Sequence, residues 1–153
     1  MIRSLVRRAV FGVLLLVGSL VAVQAGTIPE PGNIHVGYPW ARSSDGSVAV
    51  YMTLADEGSK GGRLLDAATP VATYARLYRS SNADGIEKQH LLDAIAIPPG
   101  GTLLFRPGGL HVRLTGLKEP LVKGATFPLT LYFASGARAT IRIPVANGGH
   151  VNE

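Results

Sequence analysis

The sequence predicts an all-β sandwich, and three observations carry that prediction: short runs in which apolar and polar residues alternate, turn-forming clusters between them, and no long helical period. Ile34, Val36, Tyr38 and Trp40 alternate with His35, Gly37, Pro39 and Ala41, the two-residue period of a strand with one face in a core. The turn "SSDGS" at 43–47 separates this run from Val48, Val50, Met52 and Leu54, which repeat the pattern. "SKGG" at 59–62 comes next, and then Val71, Thr73, Ala75 and Leu77 alternate with Ala72, Tyr74, Arg76 and Tyr78.

Further turns follow at "NADG" (82–85), "PPGG" (98–101), "RPGG" (106–109) and "ASGA" (134–137), each built from residues that supply turn dihedrals or local side-chain hydrogen bonds. The two Pro-Gly-Gly turns flank "TLLFR" and lead into strands, so they are not phosphate-cradling loops, which need a helix N-terminus. In the strand at 110–116, Leu110, Val112 and Leu114 face inward, so His111, Arg113 and Thr115 point out to solvent. Pro128 interrupts "TFPLTLYFA" and predicts an edge strand or a bulge there. Ala139, Ile141, Ile143 and Val145 form the last alternation. The expected core includes Trp40, Leu54, Leu77, Leu104, Leu114, Leu131, Phe133 and Ile141.

The N-terminus reads differently. Arg3, Arg7 and Arg8 precede an apolar stretch from residue 9 to 23, and Val23-Gln24-Ala25 is a small-x-small cleavage pattern, which together predict a secretory signal peptide over residues 1–25. A Pro/Gly-rich lead (26–33), one domain (34–146) and a polar tail (147–153) complete the expected organisation. Of the 15 basic and 10 acidic residues, three arginines and no acid fall in the leader. What remains is nearly neutral and has no long Lys/Arg run, which argues against nucleic acid, and none is expected as a partner. A cleaved leader also implies the periplasm and no membrane insertion of the mature chain. There is no cysteine and, beyond Met1, only Met52, so disulfides, thiolate metal sites and Cys lipidation are excluded, and a metal could find at most one thioether.

Catalytic patterns are missing. Ser43, Ser44, Ser80 and Ser81 sit in or near turns without a nucleophile elbow, Asp45, Asp84 and Asp93 read as turn and surface residues, and neither HExxH nor a carboxylate pair occurs. The chain is not expected to be an enzyme.

The segments "YPWARSS", "AVYMTL", "IPPGGTLLFRPGGLHVRLTGLKEPLVKGATFPLTLYF" and "ATIRIPV" resemble the periplasmic PCu(A)C copper chaperones over residues 36–145. The resemblance implies a single cupredoxin-like Greek-key sandwich and a copper(I) site of a His, ten residues, a Met, twenty-one residues, then His-x-Met. Counted back from His111, that spacing falls on Tyr78 and Gln89 and forward on Arg113. Three of four ligands are therefore replaced, and His111 alone is retained.

Copper(I) favours thioether and imidazole donors. A phenol and an amide oxygen serve it poorly, and a guanidinium offers no lone pair. Copper binding is accordingly expected to be weak and the site degenerate. His90, beside Gln89, is a possible substitute ligand with His111, while His35 and His150 read as solvated. Tyr78 and Arg113 are expected to stack as a cation–π pair, and Arg76, Arg79, Arg106 and Arg113 to form a positive surface for an acidic partner or an anion. Function by resemblance is copper binding and delivery to an oxidase copper centre, with an envelope copper protein or oxidase subunit as partner. The alternative on the same fold is a copper-independent envelope protein-binding module whose partner surface is Tyr78, Arg76, Arg79 and Arg113.

Overall fold

A computed structural model describes residues 32–146; the expected signal peptide, most of the lead and the tail lie outside them. Ten strands follow in chain order: β1 (Ile34–Ser44), β2 (Ser47–Asp56), β3 (Gly62–Ala68), β4 (Ala72–Ala83), β5 (Ile86–Leu92), β6 (Ile95–Ile97), β7 (Thr102–Leu104), β8 (Leu110–Leu117), β9 (Thr126–Phe133) and β10 (Arg138–Pro144). The larger sheet runs β1-β2-β8-β4-β5, with β7 also paired to β2, and the smaller runs β10-β9-β3-β6. All strand pairs are antiparallel, so the all-β sandwich stands.

Two Asp-Gly dipeptides set the hairpins that matter for the site. Ser44 pairs Ser47 across Asp45-Gly46, and Ala83 pairs Ile86 across Asp84-Gly85. In both turns the aspartate and the glycine have positive φ, 49° and 76° in the first, 56° and 76° in the second, the two-residue turn whose twist matches that of the strands. β8 inserts between β2 and β4, opposing Val48 with Leu114, Val50 with Val112 and Leu77 with Val112. Val48, Val50, Met52 and Leu54 from β2, Leu110, Val112 and Leu114 from β8, and Leu64, Phe127, Leu129, Leu131, Phe133 and Ile143 from the smaller sheet fill the interface between the sheets.

Four expectations are corrected. Trp40 leaves the core because β1 shifts register between Gly37 and Trp40. Tyr38 takes φ 47° there and stands 86 % exposed, so Ala41 is the buried residue. Leu104 is 51 % exposed because β7 turns Leu103 toward the core, and Phe105 is buried after it. Ile141 only packs against the core, while Ile143 is fully buried. Pro128 sits in neither an edge strand nor a bulge: β9 lies inside its sheet. The β3 ladder ends at Ala68↔Thr130, so it never reaches Pro128, whose carbonyl accepts the Thr69 hydroxyl at 2.7 Å.

Asp56 closes one end of the sandwich. Its carboxylate accepts backbone N–H groups of Gly58 at 3.0 Å, Gly61 at 2.7 Å and Gly100 at 3.0 Å, tying the β2–β3 turn to the β6–β7 turn. The Gly100 and Gly61 bonds, ahead of the opposing effect of burial, hold its pKa below the usual carboxylate value. A depressed folded pKa contributes stability that is present above the unfolded value of ~3.9 and is lost as pH falls through the folded value. The chain should therefore melt at progressively lower temperature below about pH 4. Asp56→Ala should lower Tm by several degrees at neutral pH and flatten that acid limb, as read by thermal denaturation across pH. An unchanged acid limb in the variant would remove Asp56 from this role.

Candidate functional site

Residues that alternate with the core on β1, β2, β8 and β4 face away from the sandwich, and antiparallel register aligns them in rows across the sheet. One row is aromatic. Trp40 opposes Tyr51 with ring centroids 4.5 Å apart. Tyr51 lies 6.3 Å from His111, and His111 opposes Tyr78 at 5.9 Å with the ring planes 16° apart. The adjacent row reads Arg42, Ala49, Arg113 and Arg76, each the strand partner of the next.

His111 takes the outward direction that alternation predicts, yet it is not solvent-exposed. Its side chain is 4 % exposed, because the Tyr51 and Tyr78 rings flank it. Nδ1 lies 3.1 Å from the Gly109 carbonyl oxygen. A carbonyl only accepts, so Nδ1 is the donor in this bond and Nε2 is not engaged by it. Burial raises the pKa of the Tyr51 phenol above its usual value, against the pull of nearby Arg42 and with the help of Glu87.

A cavity of about 370 Å³ opens over Ala49, with Arg42, Tyr51, Glu87, His111 and Arg113 in its wall. Arg113 Nη1 donates to Gln89 Oε1 at 2.8 Å. The Ser80 hydroxyl donates to Glu87 Oε1 at 2.9 Å, and the Ser44 hydroxyl to Asp45 Oδ2 at 3.1 Å. Tyr78, Gln89, His111 and Arg113 thus lie on one face of the larger sheet, from three strands, with Tyr78 against His111 and Arg113 against Gln89.

Other expected residues are placed elsewhere. His90 pairs with Arg79 while Gln89 pairs with Ser80, so it faces the opposite side of β5, its Nε2 3.2 Å from the Ser81 hydroxyl. The structure does not bring it to His111. Tyr78 and Arg113 do not stack: Tyr78 takes His111 as its ring partner, Arg113 takes Gln89, and the cation–π contact is Arg76 over Tyr74 at 5.7 Å. Arg79 alternates to the face opposite Arg76 and Arg113, so the four arginines do not share one surface. His35 is exposed on β1, and His150 lies outside the described residues.

Half of the site comes from residues that sequence reasoning passed over: Trp40, Arg42, Ala49 and Tyr51 on β1 and β2, and Glu87 on β5. For Ala49 and Tyr51 the signal was phase, since they alternate with buried Val48, Val50 and Met52, whereas an unbroken alternation along β1 puts Trp40 on the core side. Among the described residues no group of three or more His, Cys, Asp or Glu could hold a metal ion.

The LpqE-like family model matches residues 34–145. A protein of Leifsonia xyli subsp. xyli (strain CTCB07), Lxx21020, whose name calls it a lipoprotein, is 30 % identical over 126 residues, covering 81 % of this chain and 76 % of the relative. The solution structure of CuI-DR1885 from Deinococcus radiodurans superposes with a TM-score of 0.59 at 32 % identity, covering 82 % of this chain and 85 % of that one. The copper-bound PCuAC domain from PmoF2 superposes with a TM-score of 0.63 at 22 % identity, covering 76 % and 95 %. With the matched segment spanning every strand of the sandwich and the fold shared with PCuAC domains, the chain belongs to the LpqE-like family.

Proposed function

We propose that the protein is a ligand-binding module of the cell envelope, built on the PCuAC fold, whose site does not carry copper(I). The observation that carries this reading is the Arg113–Gln89 hydrogen bond of 2.8 Å. It joins the two positions at which the resemblance places thioethers, and it puts a guanidinium where a soft cation would sit. Arg113 repels such an ion by ~1 kcal/mol at 4 Å in water, and by more where water is excluded. Tyr78, which stands at the first His position, is spent on the His111 ring. His111 Nε2 is left as the one good copper(I) donor at the four positions, and one imidazole does not make a chaperone site.

Location outside the cytoplasm is supported by the leader-like N-terminus and by the name of the Leifsonia relative. Binding rather than catalysis is supported by the family match and by a fold shared with copper-chaperone domains. The second reading, copper handling and delivery to an oxidase copper centre, is favoured by the 32 % identity to a protein whose structure holds copper(I).

A copper(I) competition titration separates the two readings. A chain starting at Gly26 keeps every described strand and, mixed with a strong copper(I) chelator, should leave all the metal on the chelator. A one-to-one protein complex that survives the chelator would restore the chaperone reading.

A further inference from the structure

The four charged side chains around the cavity over Ala49 are of both signs, and the contacts found for each are with neutral groups. Arg113 bonds the Gln89 amide oxygen, Glu87 accepts from Ser80 and Asp45 accepts from Ser44, while Arg42 lines the same cavity beside Tyr51. A neutral hydrogen-bond partner positions a charge without neutralising it. The wall therefore presents two cationic and two anionic groups to whatever enters.

Their arrangement has a floor and a span. Arg42 and Arg113 are both register partners of Ala49, one on each side, so their Cα positions are about two strand spacings, ~10 Å, apart. Only a methyl group rises between them. That gap suits a carboxylate taken by the guanidinium groups from both sides. Glu87, carried by the β4–β5 hairpin, and Asp45, in the β1–β2 turn, supply carboxylates at the same cavity.

We propose that this cavity binds a small zwitterion, a compound bearing a carboxylate and an ammonium group a few bonds apart, such as a free amino acid. Phosphate or another simple anion would meet Arg42 and Arg113 but also the carboxylates of Glu87 and Asp45. A simple cation meets the reverse conflict. An uncharged polyol would desolvate all four charges without pairing any of them, which is costly. A zwitterion satisfies both signs at once, and the cavity of about 370 Å³ is within the range of small-molecule sites. The inference rests on the reading that copper(I) does not occupy this surface.

The test is an NMR titration of the 15N-labelled chain from Gly26 with L-alanine, L-serine and L-glutamine, and separately with acetate, methylammonium and inorganic phosphate. At least one amino acid should shift the Ala49 and Gln89 amide signals saturably, with a Kd at least about tenfold below those of the one-charge probes, as expected when a second charged hydrogen bond is gained. Arg42→Gln and Glu87→Gln should each weaken that binding about tenfold, with circular dichroism confirming the fold. Ala49→Phe, which fills the floor and removes no charge, should abolish it.

Acetate or phosphate binding as tightly as the amino acids would overturn the proposal in favour of an anion site. It would also be overturned if no amino acid saturates, or if the two charge variants bind unchanged. The copper(I) competition is scored independently, so a chain that binds neither copper nor amino acids sinks this inference and leaves the previous reading in place.

Discussion

Tyr78→His, Gln89→Met and Arg113→Met, introduced together, should yield a chain that competes with a strong chelator for copper(I), a gain over the original on the order of a thousandfold or more, about 4 kcal/mol. The expectation rests on geometry already in place. The Tyr78 ring is stacked 5.9 Å from His111, and the side-chain tips of Gln89 and Arg113 meet at 2.8 Å, so the four positions on β4, β5 and β8 already form two contacting pairs on one face of the larger sheet. The substitutions change the donors from a phenol, an amide and a guanidinium to an imidazole and two thioethers, the set that a soft ion prefers. They also remove the positive charge of Arg113. Isothermal or chelator-competition titration reads the gain, with circular dichroism to verify folding. A folded triple variant that binds copper(I) no better than the original would show that the placement of these positions does not amount to a preorganised site.

That Tyr78, His111 and Arg113 leave the core on one face was legible in the sequence from strand phase, while Gln89 entered only through the resemblance. Tyr78 and Gln89 belong to one hairpin fixed by Asp84-Gly85, and His111 and Arg113 alternate on one strand. What spacing could not reveal was the contact each side chain makes. His111 is outward yet buried because Tyr51 comes beside it from β2, more than fifty residues earlier. No local pattern around residues 110–116 reports that pairing. The same holds for Arg113, expected to stack on Tyr78 and instead reaching Gln89 on β5.

The fold shows a parallel division. β2 was readable in full, since Val48, Val50, Met52 and Leu54 keep an unbroken period of two and all four are buried. β1 was not, because the left-handed turn of the backbone at Tyr38 inserts a residue into the ladder and reverses the phase beyond it. A bulky residue rarely takes positive φ, so nothing in "GYPW" signals the break. That one local event moves Trp40 from the expected core to the head of the aromatic row, and so decides the edge of the candidate site.

Leu114→Ala should destabilise the chain by about 2–5 kcal/mol, the range for a fully buried leucine whose cavity cannot collapse, whereas Arg113→Ala, one residue away, should cost ~0.5 kcal/mol or less. Leu114 is completely buried between its strand partners Val48 and Ala75, at the centre of the larger sheet and against the smaller one. Arg113 lies on the opposite face, half-buried, with an exposed hydrogen bond to Gln89. The pair tests the face assignment on which the whole site depends, since a one-residue slip of β8 would exchange the two sets of side chains. Urea denaturation of both variants reads the difference. Equal losses, or a larger loss for Arg113→Ala, would mean that β8 does not present His111 and Arg113 to the cavity. A selective loss at Leu114 that leaves Arg113→Ala folded also makes the latter usable for ligand measurements, because any change in its binding would then belong to the removed guanidinium.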